Sequence, residues 1–181
     1  MSAKNEKRSQ PSPATANGYR SQTYYLSDDL HQRIKAAWWA TREQPDGAPS
    51  LSVLVARLLE AEAARLEAAR NDDRRFPPAP ASARGARSTH DSGHRSHTYY
   101  LTLELHQRIK AAWWATKERP SLSILVAELM DAGASRLEVA HNAGKPFPPA
   151  PRNARGVDPA AARRQGEFMT SLWAVSRGEN P

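Results

Sequence analysis

Two long stretches of this 181-residue chain are nearly the same sequence. Residues 20–43 match residues 95–118 at 19 of 24 positions, and residues 50–85 match residues 121–156 at 22 of 36 positions. A duplication of this kind defines the folding unit. Each copy has about 50 residues, a length at which a single domain buries too little surface to be stable alone. We therefore expect the two copies to fold together around one core.

Composition narrows the class of protein. The formal net charge is +7 and the isoelectric point is about 10.0, which favours polyanionic partners. The absence of cysteine excludes disulfides, thiolate metal sites and cysteine catalysis, and it suits a reducing compartment. No apolar run approaches the ~20 residues of a membrane span, and the first ten residues lack the apolar segment of a signal peptide. These features predict a cytoplasmic protein without membrane contact.

Composition also divides the chain into segments. The predicted segments are a disordered basic N-terminal tail at 1–18, copy 1 at 19–70, a Pro- and Arg-rich linker at 71–94, copy 2 at 95–142, a Pro-rich segment at 143–157 and an amphipathic C-terminal helix at 158–176. The sequence Phe-Pro-Pro-Ala-Pro occurs once per copy, at 76–80 and 147–151. We expect its phenylalanine to pack on the preceding helix.

Each copy predicts a strand followed by two helices. Residues 21–26 and 96–101 are short segments rich in Thr and Tyr, as is typical of a strand. Ser27 and Thr102 follow, where the N-cap of a first helix is expected. In copy 1 an apolar stripe then recurs at four- and three-residue spacing, formed by Leu30, Ile34, Trp38 and Thr41.

The second helix of each copy is more apolar than the first. Ser50 and Ser121 are its predicted N-caps. In copy 1 we expect it to span residues 51–66, with a face broad enough to be buried between neighbours, formed by Leu51, Leu54, Val55, Leu58, Leu59 and Leu66. The loop before it has eight residues in copy 1 (42–49) and four in copy 2 (117–120).

A lone strand with two helices would leave both strand edges unpaired. If the two copies pair their strands, they form a short two-stranded antiparallel β-ribbon over four helices. The predicted fold class is therefore mainly α with one such ribbon. A two-stranded ribbon fits the major groove of B-DNA, which is about 12 Å wide.

These features resemble the ribbon-helix-helix DNA-binding proteins of the Arc and MetJ type. The resemblance rests on the Leu-Ser at 26–27 before an amphipathic helix, on the Ser-x-Ser at 50–52 and 121–123, and on the apolar second helix. It covers about residues 20–68 and 95–139. The family implies a ribbon that reads bases and second helices that form the core of a dimer.

The family usually dimerises through two separate chains, whereas this chain carries both halves. Residues 71–93 can extend to about 75 Å, which is ample for the second strand to lie antiparallel to the first. We therefore expect a tandem ribbon-helix-helix that forms a single-chain pseudo-dimer. Two chains that exchange copies would make the same contacts, so that alternative stays open.

The alternation of side chains along a strand decides which residues face the DNA. Leu26 leads into the core and should point inward with Gln22 and Tyr24. The predicted base contacts lie on the other face, and the resemblance implies the same orientation; they are Ser21, Thr23, Tyr25, Ser96, Thr98 and Tyr100. Hydroxyl groups can contact any base, and a threonine methyl can contact a thymine methyl. The opposite orientation, which stays open, would expose Arg20, Gln22, Tyr24, Arg95, His97 and Tyr99.

The predicted contacts to the DNA backbone are cations near the strands and loops and hydroxyls at the start of each second helix, where a helix N-terminus attracts phosphate. They are Arg20, Arg95, Arg42, Lys117, Ser50, Ser52, Ser121 and Ser123. The alternative is plain N-capping for Ser50 and Ser121 and solvated surface charge for Arg42 and Lys117.

The sequence contains no pattern that predicts catalysis. It lacks a Gly-rich phosphate loop, a nucleophile–base pair and an isolated pair of carboxylates. His31 and His106 occupy equivalent positions without a metal-spaced partner, so we interpret both as surface residues. We expect neither an enzyme nor a bound cofactor or metal.

The resemblance implies sequence-specific binding of double-stranded DNA at a near-palindromic or repeated site, most commonly as a transcriptional repressor, associated with a nucleoid or plasmid. One alternative is a plasmid or phage partition adaptor that forms homo-oligomers on centromere repeats and contacts a partner ATPase through its N-terminal tail. Another is an antitoxin-like module that binds a protein partner through the C-terminal helix.

Overall fold

The computed structural model describes residues 18–83, 93–116 and 121–154. Within them the elements are β1 (Tyr19–Ser27), α1 (Asp28–Thr41), α2 (Leu51–Arg70), β2 (His94–Thr102), α3 (Leu103–Thr116) and α4 (Leu122–Asn142). The predicted mainly helical fold with a two-stranded antiparallel ribbon is confirmed. The predicted tail up to residue 17, Lys117 and the predicted C-terminal helix lie outside the described residues.

Short polar side chains begin all four helices named above. The hydroxyl of Ser27 accepts the N–H of Leu30 at 3.2 Å, and Thr102 caps α3 in the same way. Ser50 and Ser121 cap α2 and α4 by accepting an N–H three residues further on, at 3.3 Å in both cases. The four predicted N-caps are confirmed, and each fixes the point at which extended backbone becomes helical.

The two strands pair within one chain, and their register relates the two copies symmetrically. Thr23 lies opposite Thr98, which is the equivalent residue of the other copy. On either side the pairs exchange roles, so that Ser21 lies opposite Tyr100 and Tyr25 lies opposite Ser96. The ribbon therefore has an approximate two-fold axis that passes between Thr23 and Thr98.

One hydrophobic core lies beneath the ribbon and contains residues of both copies. Each fully buried leucine, isoleucine or methionine contributes about 1.5–3 kcal/mol. The largest fully buried side chains of this core include Tyr24, Leu26, Ile34, Leu59, Tyr99, Leu101, Ile109 and Met130. In α4, a Cβ on Gly133 would lie 3.1 Å from Leu58 of α2, so the glycine permits a close approach of these helices. Phe76 and Phe147, from the two Phe-Pro-Pro segments, are half-buried and pack against this core.

Two buried ion pairs join the copies crosswise. Arg33 of α1 donates from Nε and Nη2 to the carboxylate of Glu138 in α4, at 2.8 and 2.6 Å. Arg108 of α3 makes the same paired contact with Glu67 of α2, at 3.0 and 2.5 Å. Both glutamates are buried, with side chains 5% and 4% exposed. Each first helix is thus held by the second helix of the other copy.

Candidate nucleic-acid interface

The exposed face of the ribbon carries the six residues predicted to face the DNA. Ser21, Thr23, Tyr25, Ser96, Thr98 and Tyr100 are all exposed. Tyr24 and Tyr99 on the opposite face are each only 2% exposed, and Leu26 and Leu101 are fully buried. The predicted orientation of the strand side chains is confirmed, and the alternative orientation is wrong because the apolar core takes these four side chains. Whether the exposed face contacts bases stays a prediction.

This exposed face, which we call the reading face, presents only hydroxyl-bearing side chains. At its centre the two threonine hydroxyls, Thr23 Oγ1 and Thr98 Oγ1, are hydrogen-bonded to one another at 2.9 Å. Tyr25 and Tyr100 flank this pair, 39% and 48% exposed. Hydroxyls can donate to or accept from base edges, and methyl groups can contact thymine. The reading face can therefore contact bases in the same way from both copies.

The inward tyrosines of the ribbon are hydrogen-bonded to histidines of the first helices. The hydroxyl of Tyr24 lies 3.0 Å from Nδ1 of His106, and that of Tyr99 lies 2.9 Å from Nδ1 of His31. Burial raises the pKa of both tyrosines. The interpretation of His31 and His106 as surface residues is wrong: both are half-buried, because each polar tyrosine tip beneath the ribbon needs a partner.

The start of each second helix lies against the edge of the ribbon. Ser52 Oγ accepts the backbone N–H of Tyr100 at 3.3 Å, and Ser123 Oγ accepts that of Tyr25 at 3.2 Å. These serines therefore join the helix N-terminus to the strand that carries the tyrosines of the reading face. Each hydroxyl hydrogen can still be donated to a phosphate.

The other predicted backbone contacts differ in their surroundings. Ser50 and Ser121 are buried under their caps, 7% and 6% exposed, which leaves main-chain N–H groups of the first helical turn to meet a phosphate. Arg42 stacks on the ring of Trp39 at 3.2 Å and pairs with Glu43 at 2.6 Å, so it would have to leave both to reach DNA. The two strand arginines, Arg20 and Arg95, are exposed.

A cluster that the sequence analysis missed lies beneath one half of the ribbon. The rings of His31 and His97 are stacked, with centroids 3.9 Å apart and planes 16° from parallel. Asp28 Oδ1 lies 3.7 Å from His97 Nε2, beyond hydrogen-bond length, and this buried nitrogen has no hydrogen-bond partner among the described residues. Gln22 is the equivalent of His97 in copy 1. That difference within otherwise repeated strand sequences was the available signal.

The histidine stack predicts that acid destabilises the fold. Burial is the main cause that lowers the pKa of His31 to about 4; His97 and Lys35 act in the same direction, and Asp28 opposes them. Between that pKa and the ordinary value of about 6.5, the unfolded chain binds more protons than the folded chain, so stability falls as the pH drops. We expect His31 to cost roughly 1–2 kcal/mol of unfolding free energy between about pH 7 and pH 5, since partial exposure reduces the full effect.

Urea unfolding at the two pH values measures this loss. The matched control is His97→Gln, which places the residue of copy 1 in copy 2. Burial lowers the pKa of His97 as well, so the variant should lose less stability on acidification than the original chain. Equal losses in the two chains would contradict the role of the stack.

Three other findings bear on the nature of the site. Among the described residues, no group of three or more His, Asp or Glu could hold a metal ion. None of the described helices combines the length and the hydropathy that a membrane span requires. Comparisons with protein-family models, curated proteins and solved structures found no match to this chain.

Proposed function

We propose that this chain is a sequence-specific double-stranded DNA-binding protein that inserts its ribbon into the major groove. The observation that carries the proposal is the reading face, an exposed and symmetric set of hydroxyl side chains on a two-stranded ribbon. The inward tyrosines of that ribbon are hydrogen-bonded to histidines of the first helices. A ribbon of this width fits the major groove, where every base pair presents a distinct pattern of donors, acceptors and methyl groups. The net charge of +7 supplies the general attraction to phosphate.

The proposed architecture is a tandem ribbon-helix-helix in which one chain forms a pseudo-dimer. The pairing of β1 with β2 and the crosswise ion pairs from Arg33 and Arg108 support it. Each copy completes the ribbon and the core of the other, so neither copy would present a reading face alone. Equivalent residues meet at Thr23 and Thr98, which favours a near-palindromic DNA site centred on that pair.

The proposed role is that of a transcriptional repressor. A protein that occupies the major groove of an operator blocks access to the promoter without needing any chemistry of its own. The partition and antitoxin alternatives depend on the N-terminal tail and the C-terminal helix, which lie outside the described residues. No described feature favours either of them over the repressor.

Selection of bound sequences from a random duplex pool tests this function. We expect the full chain to enrich one short, near-palindromic sequence. The logarithm of its binding constant should fall linearly with the logarithm of the salt concentration, with a slope of about −0.9 for each phosphate that the protein neutralises. Mass measurement of the protein without DNA should give one chain. Failure to enrich any sequence would overturn the proposal, whereas a stable two-chain species of the free protein would replace the single-chain pseudo-dimer by two chains that exchange copies.

A further inference from the structure

The two ends of the ribbon differ in charge, although its centre does not. At one end β1 runs into α1 and β2 begins; we call this the α1 end. At the other end β2 runs into α3 and β1 begins; we call this the α3 end. The equivalent residues at the two ends can be compared directly because the chain is duplicated.

At the α1 end the strand arginine is already paired. Arg95 Nε lies 3.1 Å from Oδ2 of Asp28, the first residue of α1. Asp29 follows and makes no ion pair within the described ranges. Counting one guanidinium and two carboxylates, the formal charge of these three residues is −1.

At the α3 end the equivalent of Asp28 is Leu103. Arg20, the equivalent of Arg95, therefore pairs with no carboxylate in the part of the chain that the structure describes. The next residue after Leu103, Glu104, is paired with Arg75 from the linker at 2.7 Å. Over the three positions equivalent to those of the α1 end, one arginine, one leucine and one glutamate give a formal charge of 0, one unit more positive than at the α1 end.

This difference matters if the reading face contacts DNA, and the inference rests on that proposed function. A nine-residue strand is about 30 Å long at ~3.4 Å per residue. The strand ends therefore extend beyond the bases that the central threonines can reach, and their charges face the phosphates of the flanking DNA. An unpaired arginine attracts those phosphates, while Asp28 neutralises Arg95 and Asp29 adds an anion nearby.

We propose that this charge difference orients the chain on DNA whose two flanks differ, with the α3 end on the flank that offers more phosphates. Asp28 and Leu103 are then the residues that determine the orientation. The bases at the centre of the site are read alike by both copies, so they impose no orientation of their own.

Energy transfer between dyes on the protein and on one DNA end tests the polarity. The chain contains no cysteine, so single variants can be labelled uniquely. Val139→Cys marks the α1 half, because Val139 is 70% exposed and follows the Glu138 that binds Arg33. Ala68→Cys, at the equivalent exposed position of copy 1, marks the α3 half because Ala68 follows the glutamate of α2 that binds the arginine of α3. The two labels form a matched pair.

The DNA probe is the selected sequence made fully symmetric, blunt at one edge and extended by about one helical turn, about 10 base pairs, at the other. With the acceptor dye at the blunt end, the label at 139 should transfer strongly and the label at 68 weakly. The preference should fall about threefold between about 50 and 200 mM salt for each extra phosphate neutralised. Equal transfer from the two labels would overturn the polarity.

Charge exchange identifies the residues responsible. Asp28→Leu should bring the two labels towards equal transfer, and Asp28→Leu combined with Leu103→Asp should reverse their order. Unchanged polarity in the double variant would overturn the assignment to these two positions. Failure of the polarity alone leaves tight, sequence-selective binding intact, whereas absence of any selective binding would overturn the proposed function and this inference with it.

Discussion

Replacing Arg33 by alanine should lower the free energy of unfolding by about 3–5 kcal/mol. The guanidinium donates two hydrogen bonds to Glu138, a third to Ser135 at 2.9 Å and a further one to Asp131. The loss comes mainly from Glu138, whose side chain is only 5% exposed and would be left as a buried charge without its arginine. Equilibrium unfolding in urea near neutral pH measures the loss directly.

The duplication supplies the control for this experiment. Arg108→Ala removes the equivalent contact to Glu67, which is 4% exposed, and we expect a loss of similar size. Replacing both partners, as in Arg33→Met with Glu138→Leu, should recover most of the stability, because no buried charge is then left alone. A loss below about 1 kcal/mol for Arg33→Ala would mean that the pair acts as an ordinary surface ion pair.

The local features of this fold could be predicted from the sequence because each depends on neighbours within a few residues. Ser27 and Ser50 cap helices because their hydroxyls satisfy an N–H that has no acceptor within the helix. Leu26 indicated the orientation of its strand, since side chains alternate and the leucine before the first helix points into the core. The ribbon could be predicted from the duplication. Each copy supplies only one strand, so that strand can pair only with the strand of the other copy.

The contacts between copies could not be predicted in the same way. Arg33 and Glu138 are 105 residues apart, and His31 lies 68 residues before the Tyr99 that it contacts. Which surfaces meet depends on how the four helices pack, and no local periodicity encodes that packing. A signal was nevertheless present, because both the arginine and the glutamate recur at the equivalent positions of the other copy.

The second helix is longer than its apolar stripe indicated. The stripe ended at Leu66, whereas α2 continues to Arg70. Residues 67–70 are Glu-Ala-Ala-Arg, all good helix formers, and the helix ends where the N–H of Asn71 bonds to the carbonyl of Glu67 at 2.7 Å. This last turn carries no apolar periodicity. Glu67 is buried in it because its carboxylate meets Arg108 of the other copy.

Replacing both central threonines by alanine should weaken binding to the selected DNA sequence by about 1–3 kcal/mol for each base contact that is lost. Thr23 and Thr98 are exposed, and their hydroxyls bond only to one another in the described ranges, so the fold should tolerate the change. The expected loss is larger for the selected site than for random duplex, because base contacts carry specificity and phosphate contacts do not. Binding to both duplexes at one fixed salt concentration measures the difference.

Two further double variants separate the parts of the threonine side chain. Thr23→Val with Thr98→Val keeps the methyl groups and removes the hydroxyls, whereas Thr23→Ser with Thr98→Ser does the reverse. If thymine methyls are read at the centre of the site, the serine variant should lose more specificity than the valine variant. Gln22→Ala with His97→Ala changes the half-buried residues beside them and serves as the control. Loss of specificity in that control, with the threonine variants unaffected, would show that the exposed hydroxyls of the ribbon do not read the DNA.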